Sequence, residues 1–162
     1  MLLLLLPLII GSCLPQTDKK PRSKRPLAPP VAIEHYRDLE IVFAISGGWK
    51  PDRRQEVGFK LVIRNTSDKT IELKWPSAKT HDFIVRNANG KIVWRWSKDK
   101  AFAQASKTKT LKSGSKMVIK SIWDQKTNAG KTAPRGKYTI QAEFIPVGYS
   151  KKLGPLGIQL VK

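Results

Sequence analysis

Apolar and polar residues alternate in short runs along most of the chain, which is the pattern of half-buried β-strands. The clearest run is VGFKLVIRN at residues 57–65, where the apolar positions from Phe59 to Ile63 are separated by single residues. Further runs lie at residues 39–45, 70–75, 108–111, 116–123, 136–144 and 156–162. No stretch of helical period competes with them. The pattern predicts an all-β, antiparallel, immunoglobulin-like sandwich of about seven to nine strands.

Residues 81–96, HDFIVRNANGKIVWRW, predict a β-hairpin. Asn89 and Gly90 lie between two apolar runs, and this dipeptide favours a two-residue type I′ turn because both central residues of that turn need positive φ. With such a turn, Val85 lies directly opposite Trp94. The large apolar side chains of the hairpin then meet on one face of the sheet.

The two faces of this hairpin differ in character. Phe83 lies opposite Trp96 on the apolar face, which we expect to be buried. Ile84 lies opposite Arg95 on the other face, which is mixed in polarity, so we expect that face to meet solvent. Four tryptophans fall on predicted strands, and at least three of them are assigned to packing: Trp75, Trp94, Trp96 and Trp123.

The first 12 residues, MLLLLLPLIIGS, are uncharged and contain an apolar run too short to cross a bilayer. A signal peptide fits this run better. It ends in Ile-Gly-Ser-Cys, which resembles the lipobox of bacterial lipoproteins, with Cys13 as the residue that receives the lipid. The alternative is a free thiol in an uncleaved segment. We expect a lipid-anchored protein of the cell membrane or outer membrane, facing the periplasm or exterior.

The rest of the chain divides into a tether and one domain. Residues 13–35 are rich in Pro, Lys and Arg, which predicts a basic tether, and residues 36–162 are assigned to the sandwich. Lys and Arg number 31 against 12 Asp and Glu, a net charge of +19. Such a surface attracts anions, among them acidic lipid headgroups, envelope polymers and acidic proteins. No nucleic-acid-binding signature accompanies the charge, so no specific nucleic-acid partner is expected.

Residues for catalysis are scarce. His35 and His81 are the only histidines, Cys13 lies outside the predicted domain, and no nucleophile, metal-binding or phosphate-binding motif is present. We therefore predict a protein that is not an enzyme and that has no cofactor and no metal site. Trp49 and Pro51 lie in a loop between predicted strands, where they are candidate partner contacts; the alternative is that Trp49 covers the end of the sandwich.

Several segments occur in a characteristic order between Phe59 and Phe144. They are FKLVIRNTSD at 59–68, DFIV at 82–85, NG at 89–90, VWRWS at 93–97, AFAQ at 101–104, the turn at 111–114, IW at 122–123 and PRGKY at 134–138. In these segments the sequence resembles the BsuPI domain of the intracellular proteinase inhibitor family. The resemblance implies an immunoglobulin-like sandwich and inhibition of a proteinase, and it brings no reactive-site residue.

The predicted function is therefore a lipid-anchored, non-enzymatic binding module whose target is a protein, such as a proteinase of the envelope. The alternative is a basic module that binds anionic envelope polymers or lipid headgroups. An inhibitor that presents a loop as a substrate must hold that loop rigid. The loop at 47–54 is favoured because Trp49 and Pro51 anchor and stiffen it, whereas the polar loop at 124–134 is flexible in composition.

Overall fold

The computed structural model describes residues 28–47, 51–52 and 55–161. They form ten β-strands: β1 (Val31–Tyr36), β2 (Leu39–Ser46), β3 (Val57–Asn65), β4 (Ile71–Trp75), β5 (His81–Asn87), β6 (Ile92–Arg95), β7 (Lys107–Leu111), β8 (Lys116–Trp123), β9 (Gly136–Phe144) and β10 (Lys151–Leu160). All pairings between these strands are antiparallel. Within the described residues there is no helix with the length and apolar character needed to span a membrane.

The strands form two four-stranded sheets and a smaller pair. One sheet has the order β1-β2-β3-β8, the second has the order β10-β9-β5-β6, and β4 pairs with β7. The predicted alternation holds: Phe59, Leu61 and Ile63 on β3 are buried, and the intervening residues are more exposed. The prediction of an all-β antiparallel sandwich is confirmed. Its core lies between the apolar faces of the sheets, where each fully buried large side chain contributes about 1.5–3 kcal/mol.

The first strand extends the sheet into a stretch that the sequence assigned to the tether. Val31–Tyr36 pairs along its whole length with β2, so the ordered sheet begins at Val31 rather than at residue 36. The alternation of this strand was missed because β1 is an edge strand. Its residues alternate between half-buried and exposed, and none is fully buried.

The hairpin turn differs from the predicted type I′ turn. The loop has three residues rather than two, because Asn87 N donates to Lys91 O (3.0 Å) and Gly90 N donates to Asn87 O (2.9 Å). Gly90 has a φ of 76°, whereas Asn89 does not adopt positive φ. The Asn87 side chain selects this turn, since its Oδ1 accepts hydrogen bonds from the backbone N–H groups of Asn89 (3.1 Å) and Lys91 (3.0 Å).

A second irregularity restores the predicted register. Arg86 pairs with Ile92 while Val85 pairs with Trp94, so Val93 is an extra residue that forms a β-bulge. The bulge compensates for the extra residue in the loop. Trp94 therefore lies opposite Val85, as predicted, and the backbone N–H of Trp96 donates to the carbonyl of Phe83 (2.9 Å).

All four tryptophans that were predicted to lie on strands take part in packing, where at least three were expected, and Trp96 directly follows β6. Trp75 and Trp123 are fully buried, and Trp94 and Trp96 are half-buried against the core. The prediction that the other face of β5 meets solvent is wrong, because Ile84 is only 1% exposed and Asp82 is fully buried. Polar and charged groups from neighbouring segments gather over Asp82, and their presence depends on the fold rather than on the local pattern.

Candidate functional site

Two loops lie side by side at one end of the sandwich. Val57 at the start of β3 pairs with Trp123 at the end of β8, so the segment before β3 and the segment after β8 leave the sheet at the same end. Gln125 joins them. Its side chain is buried, and its Nε2 donates to the carbonyl oxygens of Asp52 (2.7 Å) and Gln55 (2.7 Å). The described residues just before β3 therefore lie beside the segment that follows β8.

The segment 124–134, called the docked loop below, is a small hairpin. Lys126 and Thr132 form a β-bridge, and Thr127 N donates to Lys131 O (2.8 Å). Gly130 closes the turn by donating its N–H to Thr127 O (2.9 Å), with a φ of 75° that favours glycine. Residues 128–131 at the tip of the hairpin are exposed.

Asn128 fastens this hairpin to the edge of β6. Its side-chain Oδ1 accepts a hydrogen bond from Arg95 N (2.6 Å), and its Nδ2 donates to Arg95 O (3.1 Å). The backbone N–H of Asn128 also donates to Val93 O (3.1 Å). The amide side chain thus pairs with a strand in the way that a neighbouring peptide group would.

The base of the docked loop is fastened as firmly as its tip. Ala133 N donates to Gln125 O (2.8 Å), the indole N–H of Trp123 donates to Lys126 O (2.7 Å), and the Tyr138 hydroxyl donates to Pro134 O (2.6 Å). The prediction that this loop is flexible is wrong. Its composition gives no sign of the distant groups that its amides and carbonyls bind.

A groove of about 640 Å³ runs between the tip of the docked loop and β6. Its lining combines apolar side chains (Ile92, Val93, Ala129 and Pro134) with cationic ones (Lys91, Arg95 and Lys98). The Arg95 guanidinium is 3.9 Å from the carboxylate of the buried Asp82. This ion pair holds the guanidinium beside the groove. The groove can therefore accept apolar or acidic side chains of a partner that contacts the tip.

The residues singled out in the sequence are placed only in part. Cys13 and Trp49 lie outside the described residues, so their roles stay predictions. Pro51 is described and is buried. Sequence reasoning missed Gln125 and Asn128, because a single amide in a polar loop has no signature that identifies its distant partners. In residues 28–47, 51–52 and 55–161, no three His, Cys, Asp or Glu side chains are grouped as a metal site would need.

His81, predicted to be a polar residue at a strand end, is buried in an aromatic cluster. Its ring centroid is 4.1 Å from that of Trp96 and 5.3 Å from that of Phe83. Its Nδ1 is 2.9 Å from the Thr80 hydroxyl, and its Nε2 has no hydrogen-bond partner. Burial lowers the pKa of His81 from its ordinary value of 6.5 to about 4, and nearby lysines contribute to the shift.

We expect this histidine to make folding stability pH-dependent. The unfolded chain binds the proton near pH 6.5 and the folded chain only near pH 4, so the stabilisation is complete above pH 6.5 and is lost as the pH falls. The loss between pH 7 and pH 5 should be on the order of 2 kcal/mol. Urea unfolding at both pH values measures it.

Two histidine variants test this pH dependence, and the second is the control for the first. His81→Phe keeps an aromatic ring and should flatten the pH dependence, whereas the exposed His35→Gln should keep it. If His81→Phe loses stability between pH 7 and pH 5 as steeply as the parent chain, His81 is not the titrating group.

Comparison with known proteins places the docked loop inside a family match. The family model described as BsuPI, intracellular proteinase inhibitor, matches residues 49–147, which is more than half of the chain. That range includes the docked loop, the groove and β3 to β9. No curated protein matches the chain.

The chain is also similar, at low sequence identity, to several solved structures. An alkylpurine DNA glycosylase, AlkC, from Pseudomonas fluorescens is 12% identical and covers 82% of this chain and 30% of its own, with a TM-score of 0.44. A β-glucosidase from Listeria innocua is 9% identical and covers 80% and 17%, with a TM-score of 0.46. The CARDB domain of the PF1109 protein from Pyrococcus furiosus is 13% identical and covers 79% and 98%, with a TM-score of 0.40. The chain spans less than a third of the first two proteins.

Proposed function

The chain belongs to the intracellular proteinase inhibitor (BsuPI) family, and from this premise we propose that it inhibits its proteinase with the surface formed by the docked loop and the adjacent groove. The exposed tip at residues 128–131 enters the cleft of the proteinase. The groove beside β6 receives neighbouring side chains of the proteinase, and its cations favour acidic ones. The protein acts as a binding module and not as a catalyst.

The observation that carries this proposal is the fastening of the docked loop. A loop that is ordered before binding does not lose conformational freedom when it enters a proteinase cleft, and each residue that must be ordered costs about 1–2 kcal/mol. Disulfides supply such rigidity in many small inhibitors, but this chain has a single cysteine. Here the amides of Asn128 and Gln125 and the hydroxyl of Tyr138 supply it instead.

The loop that precedes β3 contributes to the same proposed surface. Gln125 binds the carbonyl groups of Asp52 and Gln55, so these two described residues of the segment lie beside the base of the docked loop. Pro51 is buried, which fits a stiffening role better than direct contact. Trp49 lies in the sequence just before this segment, and we propose it as a second contact with the proteinase.

The test begins with capture of proteinases from the protein's own membranes on the full chain, followed by measurement of the inhibition constant. Ala129→Glu changes an exposed tip residue, and Ala105→Glu makes the same charge change at an exposed residue outside the groove. Hot-spot contacts contribute about 2 kcal/mol or more, so Ala129→Glu should weaken inhibition at least about 30-fold. Ala105→Glu should inhibit normally.

Two results would count against the proposal. If the captured fraction contains no proteinase activity that the chain reduces, the inhibitory function is wrong. If Ala129→Glu inhibits as well as Ala105→Glu, the chain inhibits through another surface and the assignment of the docked loop is wrong.

We also propose that the inhibitor works at a membrane, anchored by lipid on Cys13. The support is the apolar run that ends in Ile-Gly-Ser-Cys. Each buried methylene contributes about 0.8 kcal/mol, so two or more acyl chains hold a protein on its membrane durably. Cys13→Ala should therefore release or misprocess the protein, which fractionation and mass measurement detect. A variant that stays in the membrane fraction at its normal mature mass would rule out the anchor.

A further inference from the structure

The outward face of the sheet β1-β2-β3-β8, called the outer face below, carries a row of β-branched side chains. Ile33 pairs with Val42, Val42 with Val62, and Val62 with Val118, so the row crosses all four strands in direct register. Residues that lie opposite one another point to the same side of a sheet. Ile33 is 55% exposed and Val118 is 42% exposed. The row is therefore an apolar stripe open to solvent.

Further apolar residues widen this stripe. Val31 lies next to the row on β1, and Ile122 lies on the same face near the end of β8. Of the six large apolar residues that are exposed in the described part of the chain, four lie on the outer face. The solvent face of an antiparallel sheet is ordinarily polar, and a continuous exposed apolar patch indicates an interaction surface.

The charges on the outer face select the partner. Four cations, Lys60, Arg64, Lys116 and Lys120, share the face with one anion, Glu40. All four cations lie on β3 and β8, beside the apolar row. A second copy of this chain would bring the cations of two faces together, so self-association is disfavoured. The complementary partner is anionic.

The sequence before β1 is also strongly basic. β1 is the edge strand of the outer face, and residues 19–25 shortly before it contain five cations (Lys19, Lys20, Arg22, Lys24 and Arg25). The stripe spans all four strands of its sheet. A flat, extended anionic surface matches this charge distribution better than the small acidic patch of a globular partner.

We propose that the outer face lies on an anionic membrane surface. The lysine ammonium groups contact headgroup phosphates, while the stripe of Ile and Val side chains contacts the boundary between headgroups and acyl chains. This orientation turns the opposite sheet, β10-β9-β5-β6, away from the lipid. The inference goes beyond inhibition, and it depends neither on inhibition nor on acylation of Cys13.

The test is lysine acetylation footprinting of the full chain on vesicles. Vesicles of mixed phosphatidylglycerol and phosphatidylcholine are compared with vesicles of phosphatidylcholine alone. Acetylation of Lys60, Lys116 and Lys120 should slow at least about fivefold on the anionic vesicles, since each cation near such a surface gains about 1 kcal/mol. Lys137 and Lys152, which are exposed on the opposite sheet, should react at an unchanged rate.

Apolar variants separate docking by the stripe from general charge attraction. The double change Ile33→Ser and Val118→Ser should abolish the protection, and it should change stability little because both residues are outside the buried core, at 55% and 42% exposed. Val147→Ser, at a residue 65% exposed outside the stripe, should keep the protection.

Four outcomes would overturn the membrane assignment. The first is equal protection of all the lysines, and the second is protection that survives the double change. The third is protection without vesicles that disappears on deletion of residues 1–12, which would mean that the chain covers its own stripe. The last is protection by extracted membrane proteins but not by vesicles, which would indicate an acidic protein partner. Failure of the lipid anchor can be told apart from failure of the outer-face contact. Without the anchor the chain leaves the membrane, whereas without the contact the chain stays bound and its outer-face lysines react freely.

Discussion

Replacing Asp82 by Ala should lower the free energy of unfolding by about 3–5 kcal/mol, the range for removing one partner of a buried ion pair. Asp82 is fully buried on β5. Its Oδ2 accepts hydrogen bonds from Lys79 Nζ (2.9 Å) and Ser97 Oγ (2.5 Å). Its Oδ1 accepts from the backbone N–H groups of Phe83 (3.0 Å) and Ser97 (3.1 Å).

The size of the effect comes from what the substitution leaves behind. The Lys79 side chain, only 27% exposed, loses the carboxylate that its ammonium group binds, and two backbone donors lose their acceptor. Unsatisfied buried donors cost about 1–3 kcal/mol each. Urea unfolding of the full chain measures the loss.

Glu72→Ala is the matched control for Asp82→Ala. It breaks the Glu72–Lys74 ion pair (2.7 Å), whose side chains are 50% and 66% exposed, and should cost less than about 1 kcal/mol. A similar small loss for Asp82→Ala would show that the cluster around Asp82 contributes little to the fold.

Replacing Asn128 by Ala should weaken inhibition about 10- to 100-fold while lowering stability by only about 1–2 kcal/mol. The change removes both side-chain hydrogen bonds to the Arg95 backbone, so the tip of the docked loop becomes mobile. Binding must then order the tip again, and the free-energy cost of this ordering weakens the affinity for the proteinase. Inhibition constants, together with hydrogen exchange across residues 126–132, measure the two consequences.

Asn89→Ala is the matched control for Asn128→Ala. Asn89 is an exposed Asn in the neighbouring turn, and none of the hydrogen bonds described for the hairpin turn uses its side chain. It should therefore inhibit normally and show unchanged exchange. If Asn128→Ala speeds hydrogen exchange in the docked loop but leaves inhibition intact, rigidity of this loop is not needed, and the inhibitory contact lies elsewhere.

The strand content was predictable because alternation is a local signal. β3, β8 and β9 begin and end where the alternating runs begin and end, since one of their faces is covered by the core and the other is not. The sequence did not predict β1, because an edge strand with a partly exposed inner face shows little alternation of apolar and polar residues. Exposed apolar residues on its outward face further blurred the pattern.

The hairpin register was predicted correctly although the turn was not. The turn is one residue longer than predicted, because the Asn87 side chain organises it, and the bulge at Val93 removes the resulting offset. Burial of the face that contains Phe83 and Trp94 favours the arrangement in which the two irregularities cancel. The hydrophobic face determines the register more strongly than the turn sequence does.

The candidate site was much less predictable than the fold. Trp49 drew attention because an aromatic residue in a loop stands out in any sequence, whereas Asn128 and Gln125 are unremarkable polar residues in a polar loop. Their importance arises from partners about 30 and 70 positions away in the chain. Such contacts exist only once the sheets have formed, so composition alone suggested a flexible loop.

The pairing of Asn128 with Arg95 also has a consequence for solubility. β6 is the edge of its sheet, and the unpaired backbone groups of an edge strand can pair with another chain and start aggregation. The Asn128 amide occupies both backbone hydrogen-bonding groups of Arg95, and the Asn128 backbone N–H occupies the carbonyl of Val93. The loop that we propose as the inhibitory element thus also shields β6 from edge-to-edge association between molecules.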